Sequence, residues 1–213
     1  MKRFRPALDQ YCRLVDAAPL SVTALRGVEA IERELVADAL SARDLIGPAW
    51  PAAVVDVGSG NGSPGIPLAI AYGGAVTLLE SGSRKARFLE QMVAALEITA
   101  PVVAERSELF ARGAGRDAFD LALARALAPP PVALELCLPL VRPGGRLILW
   151  TGELEAGRLA PVAAALAARL GRVQHHGGRR LIELVKLAET PQRFPRRPGM
   201  AGKRPLASLP SQG

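Results

Sequence analysis

Val54-Val55-Asp56-Val57-Gly58-Ser59-Gly60-Asn61-Gly62-Ser63-Pro64-Gly65-Ile66 is the stretch that decides the fold of this 213-residue chain. Its valines predict a strand buried on both faces. Pro64 predicts the first turn of a following helix, where its missing N–H would have no partner anyway. Gly58, Gly60 and Gly62 permit a tight turn and let a ligand approach the backbone where a Cβ would clash. The stretch therefore predicts a ligand-binding strand–loop–helix unit at the carboxyl end of a strand.

The spacing of these glycines narrows the choice of ligand. A dinucleotide fingerprint needs G-x-G-x-x-G, but counting from Gly58 the third glycine would fall at Ser63. A phosphate-binding P-loop is excluded because no Gly-Lys-Ser/Thr follows. The pattern instead resembles the first motif of S-adenosylmethionine-dependent methyltransferases, whose loop wraps a cofactor without phosphate. Glu80 ends the next apolar run, where such folds place a carboxylate on the ribose hydroxyls. The alternative for Glu80 is a solvated acid at a strand end.

Strands and helices alternate from residue 52 onward. We predict strands at 52–57 and 75–80, from 101, and at 119–123 and 147–150, and helices at 64–72, 83–98, 130–141 and 153–170. A turn is predicted at Arg142-Pro143-Gly144-Gly145, and a hairpin at 172–176 and 180–187. This alternation is typical of an α/β fold with a mostly parallel, doubly wound sheet, here closed by an antiparallel hairpin.

Three parts are predicted along the chain: a small N-terminal helical cap at 1–49, a binding domain at 50–189 and a basic tail at 190–213. Apolar residues of the cap form two stripes at helical spacing, namely Leu8, Tyr11, Leu14 and Val15, then Val28, Ile31, Leu35 and Leu40. The tail has recurrent proline, so we predict that it forms no helix and buries no core. Its cations are candidates to bind nucleic-acid phosphates, with a solubilising tail as the alternative. They are Arg193, Arg196, Arg197, Lys203 and Arg204.

The composition limits the partners and the compartment. A net charge of +7 favours a polyanionic partner, nucleic acid first and an anionic membrane surface second. We expect no signal peptide and no membrane span, because no apolar stretch is suitable for either. Cys12 and Cys137 are predicted to be buried thiols in a reducing cytoplasm. His175 and His176 have no plausible co-ligands, so no metal site is expected.

Several segments together resemble one family, the bacterial small-subunit (16S) ribosomal RNA methyltransferase G, also called glucose-inhibited division protein B. The segments extend over roughly residues 20–206 and follow the order of the family. They are Asp56 to Leu68, Glu80-Ser81 with Arg84-Lys85 and Phe88-Leu89, Arg106-Ser107-Glu108, Ala124-Arg125-Ala126, Leu140 to Gly145, and Phe194-Pro195-Arg196-Arg197-Pro198-Gly199.

This resemblance implies a Rossmann-like, S-adenosylmethionine-dependent methyltransferase that methylates guanine N7 in 16S ribosomal RNA. By the same resemblance, Gly58 and Ser63 line the methionine end of the cofactor, Ser107 and Glu108 its adenine, and Arg125 lies beside the methyl group and the target base. The implied partner is 16S ribosomal RNA or the small ribosomal subunit. We expect a cytoplasmic monomer.

The residues themselves favour a ring nitrogen as the methyl acceptor. Methylases of exocyclic amines carry Asn/Asp-Pro-Pro-aromatic after the fourth strand, whereas this chain has Arg125-Ala126-Leu127-Ala128-Pro129. Carbon-5 pyrimidine methylases need a nucleophilic cysteine, and Cys137 lies in an apolar run. Arg125 could hold the O6 edge of guanine, or be a structural arginine paired with Asp120 or Glu108. Two other functions stay open: a small-molecule methyltransferase, and a non-catalytic RNA-binding or ribosome-assembly factor.

Overall fold

The computed structural model describes residues 4–19 and 22–206. It divides into two compact units, Met1–Glu105 and Arg106–Gly213, which hold three and four of the seven strands of the mixed α/β fold. The boundaries predicted for the cap, the binding domain and the tail stay predictions. No helix in the described part of the chain is both long and apolar enough to cross a membrane.

The first unit begins with short helices. They are α1 (Arg5–Asp16), α2 (Val28–Ile31), α3 (Asp38–Leu40) and α4 (Arg43–Ile46). In α1 the predicted stripe is buried at Leu8, Tyr11 and Val15, while Cys12 rather than Leu14 completes it. The second stripe is buried at Ile31 and Leu35, but the chain there is no continuous α-helix, because Glu32–Ala37 forms a π-helical segment between α2 and α3. Hydrophobic spacing does not distinguish these two kinds of helix.

Three parallel strands follow in the first unit. They are β1 (Val54–Val57), β2 (Thr77–Leu79) and β3 (Val102–Val103), in the order β3-β2-β1, and α5 (Gly65–Tyr72) and α6 (Ser83–Leu96) connect them. Every residue of β1 is buried, as its valines predict. Short parallel strands joined by helices are the expected outcome of the alternating pattern. The predicted strands and helices are confirmed here, with ends that differ by a few residues.

The second unit continues the alternation and adds the closing hairpin. Its helices are α7 (Ser107–Phe110), α8 (Pro130–Cys137), α9 (Ala160–Ala165) and α10 (Met200–Lys203), with 3-10 turns at Leu138–Leu140 and Ala156–Leu159. Its strands are β4 (Phe119–Arg125), β5 (Val141–Thr151), β6 (Ala168–His176) and β7 (Arg179–Lys186), in the order β4-β5-β7-β6. β4 and β5 are parallel, whereas β7 is antiparallel to both β5 and β6. The mostly parallel sheet with an antiparallel hairpin is therefore confirmed.

Two local predictions in the second unit are wrong. The alanine-rich helix predicted at 153–170 ends at Ala165, because the chain turns at Ala167 (φ 57°) and pairs with β7 from Ala168 onward. The turn predicted at 142–145 lies inside β5, where the register shifts and Gly144 has φ 81°. From Ala168 onward, pairing with β7 overrides the helical preference of the sequence. Residues 142–145 instead form a bulge between the paired residues Val141 and Arg146.

A buried lysine joins the last strand to the tail. The side chain of Lys186 has no exposed surface, and its Nζ donates to Asp117 Oδ1 (3.0 Å), Leu138 O (2.7 Å) and Thr190 Oγ1 (2.6 Å). Burial lowers the pKa of Lys186, and the carboxylate of Asp117 opposes that shift. A buried cation needs such partners, since one left unpaired would strongly destabilise the fold.

The tail is folded against the second unit as far as residue 206, so the prediction that it forms no helix and buries no core is wrong. Phe194 is only 4 % exposed, and the tail contains α10. Arg116 donates to the carbonyls of Thr190 (2.6 Å) and Phe194 (2.9 Å). The side chain of Arg116 thus satisfies two backbone carbonyls of a segment in which each proline lacks an N–H group. Residues 207–213 of the predicted tail lie outside the described residues.

Candidate functional site

The loop between β1 and α5, residues 58–64, is the candidate cofactor loop. Gly58, Gly60 and Gly62 have φ values of 71°, 53° and 89°, a left-handed conformation that side chains with a Cβ rarely adopt. The N–H groups of Gly58 and Ser59 both donate to Leu79 O, at 2.7 and 3.2 Å. The first half of the cofactor loop is therefore attached to the end of β2.

Asp56, which sequence reasoning did not assign to the site, occupies the start of α5. It is 1 % exposed, and its Oδ2 accepts a hydrogen bond from Gly65 N–H at 3.0 Å. A Cβ at Gly65 would lie 2.8 Å from the same Oδ2, so only glycine fits there. In dinucleotide-binding folds this helix end holds a pyrophosphate, whereas here a second anion would meet a buried carboxylate. The geometry thus favours a ligand without phosphate.

Glu80 lies just beyond β2 and is 7 % exposed. Its Oε2 accepts the N–H of Gly60 at 3.0 Å, and its Oε1 accepts the N–H of Gly82 at 2.7 Å. The structure thus brings together two predicted site residues, Glu80 and Gly60. Each carboxylate oxygen has capacity for a further hydrogen bond, which the hydroxyls of a ribose could donate.

Ser63 is buried, and its hydroxyl donates to Leu35 O of the π-helical segment at 3.1 Å. Its N–H donates to Asn61 Oδ1 at 3.2 Å, and the hydroxyl of Tyr11 donates to Asn61 O at 3.3 Å. At Gly62 a Cβ would lie 2.6 Å from Ile66 Cδ1, and the φ of 89° would strain any residue that has a Cβ. The second half of the cofactor loop is therefore attached to the N-terminal helices.

Ser107 and Glu108, predicted for the adenine, begin α7 in the second unit and are 8 % and 3 % exposed. Glu108 Oε1 accepts hydrogen bonds from Arg106 Nη2 at 2.7 Å and from Gly199 N–H of the tail at 2.9 Å. Burial alone would raise the pKa of Glu108, but these hydrogen bonds outweigh it and hold the pKa below its usual value. Glu108 thus binds the tail, a contact that its sequence position does not reveal.

The lowered pKa of Glu108 has a consequence for stability. A carboxyl whose pKa is lower in the folded than in the unfolded chain stabilises the fold above its unfolded pKa of about 4.3. We therefore expect Glu108→Gln to lower the free energy of unfolding at pH 7, and the difference from the natural chain to shrink as the pH falls through the folded pKa. Urea unfolding between pH 7 and pH 3 measures this, and a difference independent of pH would contradict it.

Arg125, predicted to lie beside the methyl group and the base, is the last residue of β4 and is half-buried. It pairs in register with Trp150 of β5. The next residue, Ala126, has φ 53°, which strains a residue with a Cβ, and such strain is frequent at functional sites. The chain thus turns abruptly where the sequence predicts the target base.

The five predicted phosphate-binding cations of the tail are not equivalent. Arg196 is half-buried, and its Nε donates to Glu135 Oε1 at 2.7 Å while its Nη2 pairs with Glu135 Oε2. Glu135 is 1 % exposed, so this ion pair is internal to the second unit. The other four, Arg193, Arg197, Lys203 and Arg204, are exposed.

The histidines and cysteines take no part in these arrangements. His175 and His176 are exposed at the end of β6, and the two cysteines, Cys12 and Cys137, are free and buried as predicted. Burial raises the pKa of the Cys12 thiol to about 11, which disfavours a reactive thiolate. Within residues 4–19 and 22–206, no group of three His, Cys, Asp or Glu side chains could hold a metal ion.

The sequence of this chain is similar to that of one family of known proteins. The family model of rRNA small subunit methyltransferase G matches residues 6–175. Proteins named ribosomal RNA small subunit methyltransferase G are similar to this chain. That of Chloroflexus aggregans is 39 % identical over 87 % of this chain and 82 % of the relative. That of Rubrobacter xylanophilus is 44 % identical over 72 % of this chain and 64 % of the relative. That of a Synechococcus species is 40 % identical over 71 % of this chain and 63 % of the relative. The chain thus covers slightly less than two thirds of the last two relatives.

Solved structures of methyltransferases share the fold. The ribosomal protein L11 methylase of Lactobacillus delbrueckii subsp. bulgaricus has a TM-score of 0.55 at 19 % identity and matches 71 % of this chain and 78 % of its own. A 16S rRNA methyltransferase of T. Thermophilus, in complex with AdoMet and guanosine, has a TM-score of 0.50 at 21 % identity. It matches 73 % of this chain and 40 % of its own. These likenesses confirm the predicted Rossmann-like methyltransferase fold.

Proposed function

Because this chain belongs to the rRNA small subunit methyltransferase G family, we propose that it is an S-adenosylmethionine-dependent enzyme that methylates guanine N7 in 16S ribosomal RNA. The relatives are named for the RNA of the small subunit. The observation that carries the proposal is the cofactor loop, which combines three left-handed glycines with the Asp56 carboxylate at the start of α5 and the Glu80 carboxylate at its side.

The residues of this chain fit S-adenosylmethionine. The cofactor has no phosphate. This agrees with the position of the Asp56 carboxylate, which already accepts the N–H of Gly65 at the start of α5. It has ribose hydroxyls, for which Glu80 provides oriented acceptors. We assign Gly58, Gly60, Gly62 and Ser63 to the methionine end and Ser107 and Glu108 to the adenine.

Methylation at N7 makes modest demands on the protein. When bound, S-adenosylmethionine supplies an electrophilic methyl group. Guanine N7 carries a free lone pair, so no proton has to leave and no histidine base is required. The protein mainly has to align the base with the methyl group, an effect that can lower a barrier by about 7–11 kcal/mol. We assign Arg125 to this task, as the group that holds guanine O6.

The four exposed cations of the tail are the proposed contacts to RNA phosphates. The target guanine must be unpaired or splayed, because the major groove of A-form RNA is too narrow for side chains. The tail keeps these cations in place through its attachment to Glu135, Glu108 and Arg116. We further propose that the chain acts as a monomer in the cytoplasm, on 16S ribosomal RNA or on the small subunit.

We expect the triple variant Arg197→Ala/Lys203→Ala/Arg204→Ala to bind 16S RNA more weakly and with a smaller salt dependence. Each lost phosphate contact lowers the slope of log K against log salt by about 0.7–0.9. Filter binding at several salt concentrations measures the slope. Because all three side chains are exposed, the free energy of unfolding should stay nearly unchanged.

A matched control removes the same charge elsewhere. The variant Arg33→Ala/Arg158→Ala/Arg169→Ala also loses three exposed cations and should keep the salt slope. Equal slopes for the two triple variants would contradict a specific role of the tail. Deletion of the tail is a poor test, since it would remove the buried Phe194 and leave Glu135 unpaired.

The experiment that tests the function is transfer of labelled methyl from S-adenosylmethionine to 16S RNA and to small subunits that lack N7-methylguanine, followed by nucleoside analysis. Labelled N7-methylguanosine is the expected product. Label in another nucleoside would contradict guanine N7 as the methyl acceptor. Cofactor binding without transfer to RNA would favour a small-molecule substrate, and absence of binding would favour a non-catalytic assembly factor.

A further inference from the structure

The cofactor loop is held from two sides by different parts of the first unit. Its first half, Gly58 to Gly60, is attached to the end of β2 by Leu79 O and Glu80. Its second half, Asn61 to Ser63, is attached to the N-terminal helices by two hydroxyl groups. Neither hydroxyl group takes part in the methyl transfer step itself.

The first hydroxyl belongs to Ser63. Its Oγ donates to Leu35 O at 3.1 Å, and both side chains are buried. Leu35 lies in the π-helical segment, and its carbonyl also accepts Asp38 N–H, so both lone pairs of this oxygen are used. π-Helical turns are frequent at functional sites. Here the segment presents a backbone acceptor to the cofactor loop.

The second hydroxyl belongs to Tyr11 of α1, whose side chain is fully buried. It donates to Asn61 O at 3.3 Å, and the Asn61 side chain in turn accepts Ser63 N–H at 3.2 Å. Two helical segments that are distant in sequence thus bind neighbouring residues of one loop. Because the loop contains three glycines in left-handed conformations, it has little conformational preference of its own.

We propose that Tyr11 and Ser63 are positioning residues through which the N-terminal helices fix the cofactor loop in its binding conformation. The inference rests on the proposed function, because S-adenosylmethionine is taken as the ligand. Fixing a loop before binding removes the entropy loss that binding would otherwise carry. The N-terminal helices are then part of the cofactor site, although their side chains need not touch the cofactor.

The test compares Ser63→Ala and Tyr11→Phe with Ser41→Ala. Ser41 is a matched control, because its hydroxyl donates to a carbonyl of the same helices, Asp38 O at 2.6 Å, but not to the cofactor loop. Loss of one hydrogen bond corresponds to about a three- to tenfold change in an equilibrium constant. We expect Ser63→Ala and Tyr11→Phe each to raise the dissociation constant of S-adenosylmethionine by about that factor, and Ser41→Ala to leave it unchanged.

Two further readouts separate positioning from general stability. In methyl transfer, the KM for S-adenosylmethionine should rise in both variants, and in Tyr11→Phe kcat at saturating cofactor should stay near that of the natural chain. Without cofactor, the amide of Gly62 should exchange its hydrogen faster in both variants, by about three- to tenfold. Dissociation constants and exchange rates like those of the natural chain would overturn the inference. If the natural chain does not bind S-adenosylmethionine, the proposed function fails. Hydrogen exchange of the Gly62 amide tests the attachment separately, and an unchanged rate in both variants would show that Tyr11 and Ser63 do not hold the loop.

Discussion

Glu80→Gln is expected to weaken the binding of S-adenosylmethionine about 100-fold, equivalent to roughly 3 kcal/mol. A glutamine keeps only one acceptor oxygen, so the N–H of Gly60 or of Gly82 would face an NH2 group. A hydrogen bond to a charged acceptor contributes about 1.5–3 kcal/mol. The variant loses one such bond outright, weakens the other, and loses an acceptor for the ribose hydroxyls. Isothermal titration with S-adenosylmethionine measures the effect.

Glu90→Gln is the matched control for this substitution. Glu90 lies on α6 in the same unit, and it is exposed. It carries the same charge and should change the affinity by less than about twofold, as expected for an exposed position. If Glu80→Gln binds S-adenosylmethionine as tightly as Glu90→Gln does, the carboxylate of Glu80 is not part of the cofactor site.

The order of strands and helices could be read from the sequence because its signals are local. Apolar runs, and the glycines and prolines between them, predict β1 and α5 nearly to the residue, with α5 expected at 64–72 and found at Gly65–Tyr72. The alanine-rich segment after β5 shows the limit. Leu170 pairs with Leu184 of β7, and this strand pairing overrides the helical preference of the alanines.

The candidate site was predictable in part. Glu80 follows from its position after the second strand, and the structure supplies its partners. The contacts of Ser63 and Tyr11 join residues 28 and 50 positions apart, and no local pattern reports such pairs. The sequence also contains a signal for Asp56 that was not used to predict the site. An acid inside a buried apolar run, such as Asp56, must have a partner, because burial of an unpaired charge is very unfavourable.

Glu135 is another acid inside a buried apolar run, and removal of its partner should strongly lower the free energy of unfolding. Glu135 lies in the apolar helix α8 and is paired with Arg196, which is 61 positions away. Arg196→Ala would leave the 1 % exposed Glu135 without its cation. Removing one partner of a buried ion pair lowers the free energy of unfolding by about 3–5 kcal/mol. We expect a loss of this size in urea unfolding.

Arg197 provides the control, since it is the adjacent arginine and is exposed. Arg197→Ala should change the free energy of unfolding by less than about 0.5 kcal/mol, yet weaken binding to 16S RNA. The double variant Glu135→Leu/Arg196→Met removes both charges together and should recover most of the stability, because apolar residues of similar volume can replace a buried ion pair. If Arg196→Ala is as stable as Arg197→Ala, Arg196 is not the internal anchor of the tail. A double variant as unstable as Arg196→Ala would instead show that Arg196 acts through its packing and its hydrogen bond to Arg204 O rather than through its charge.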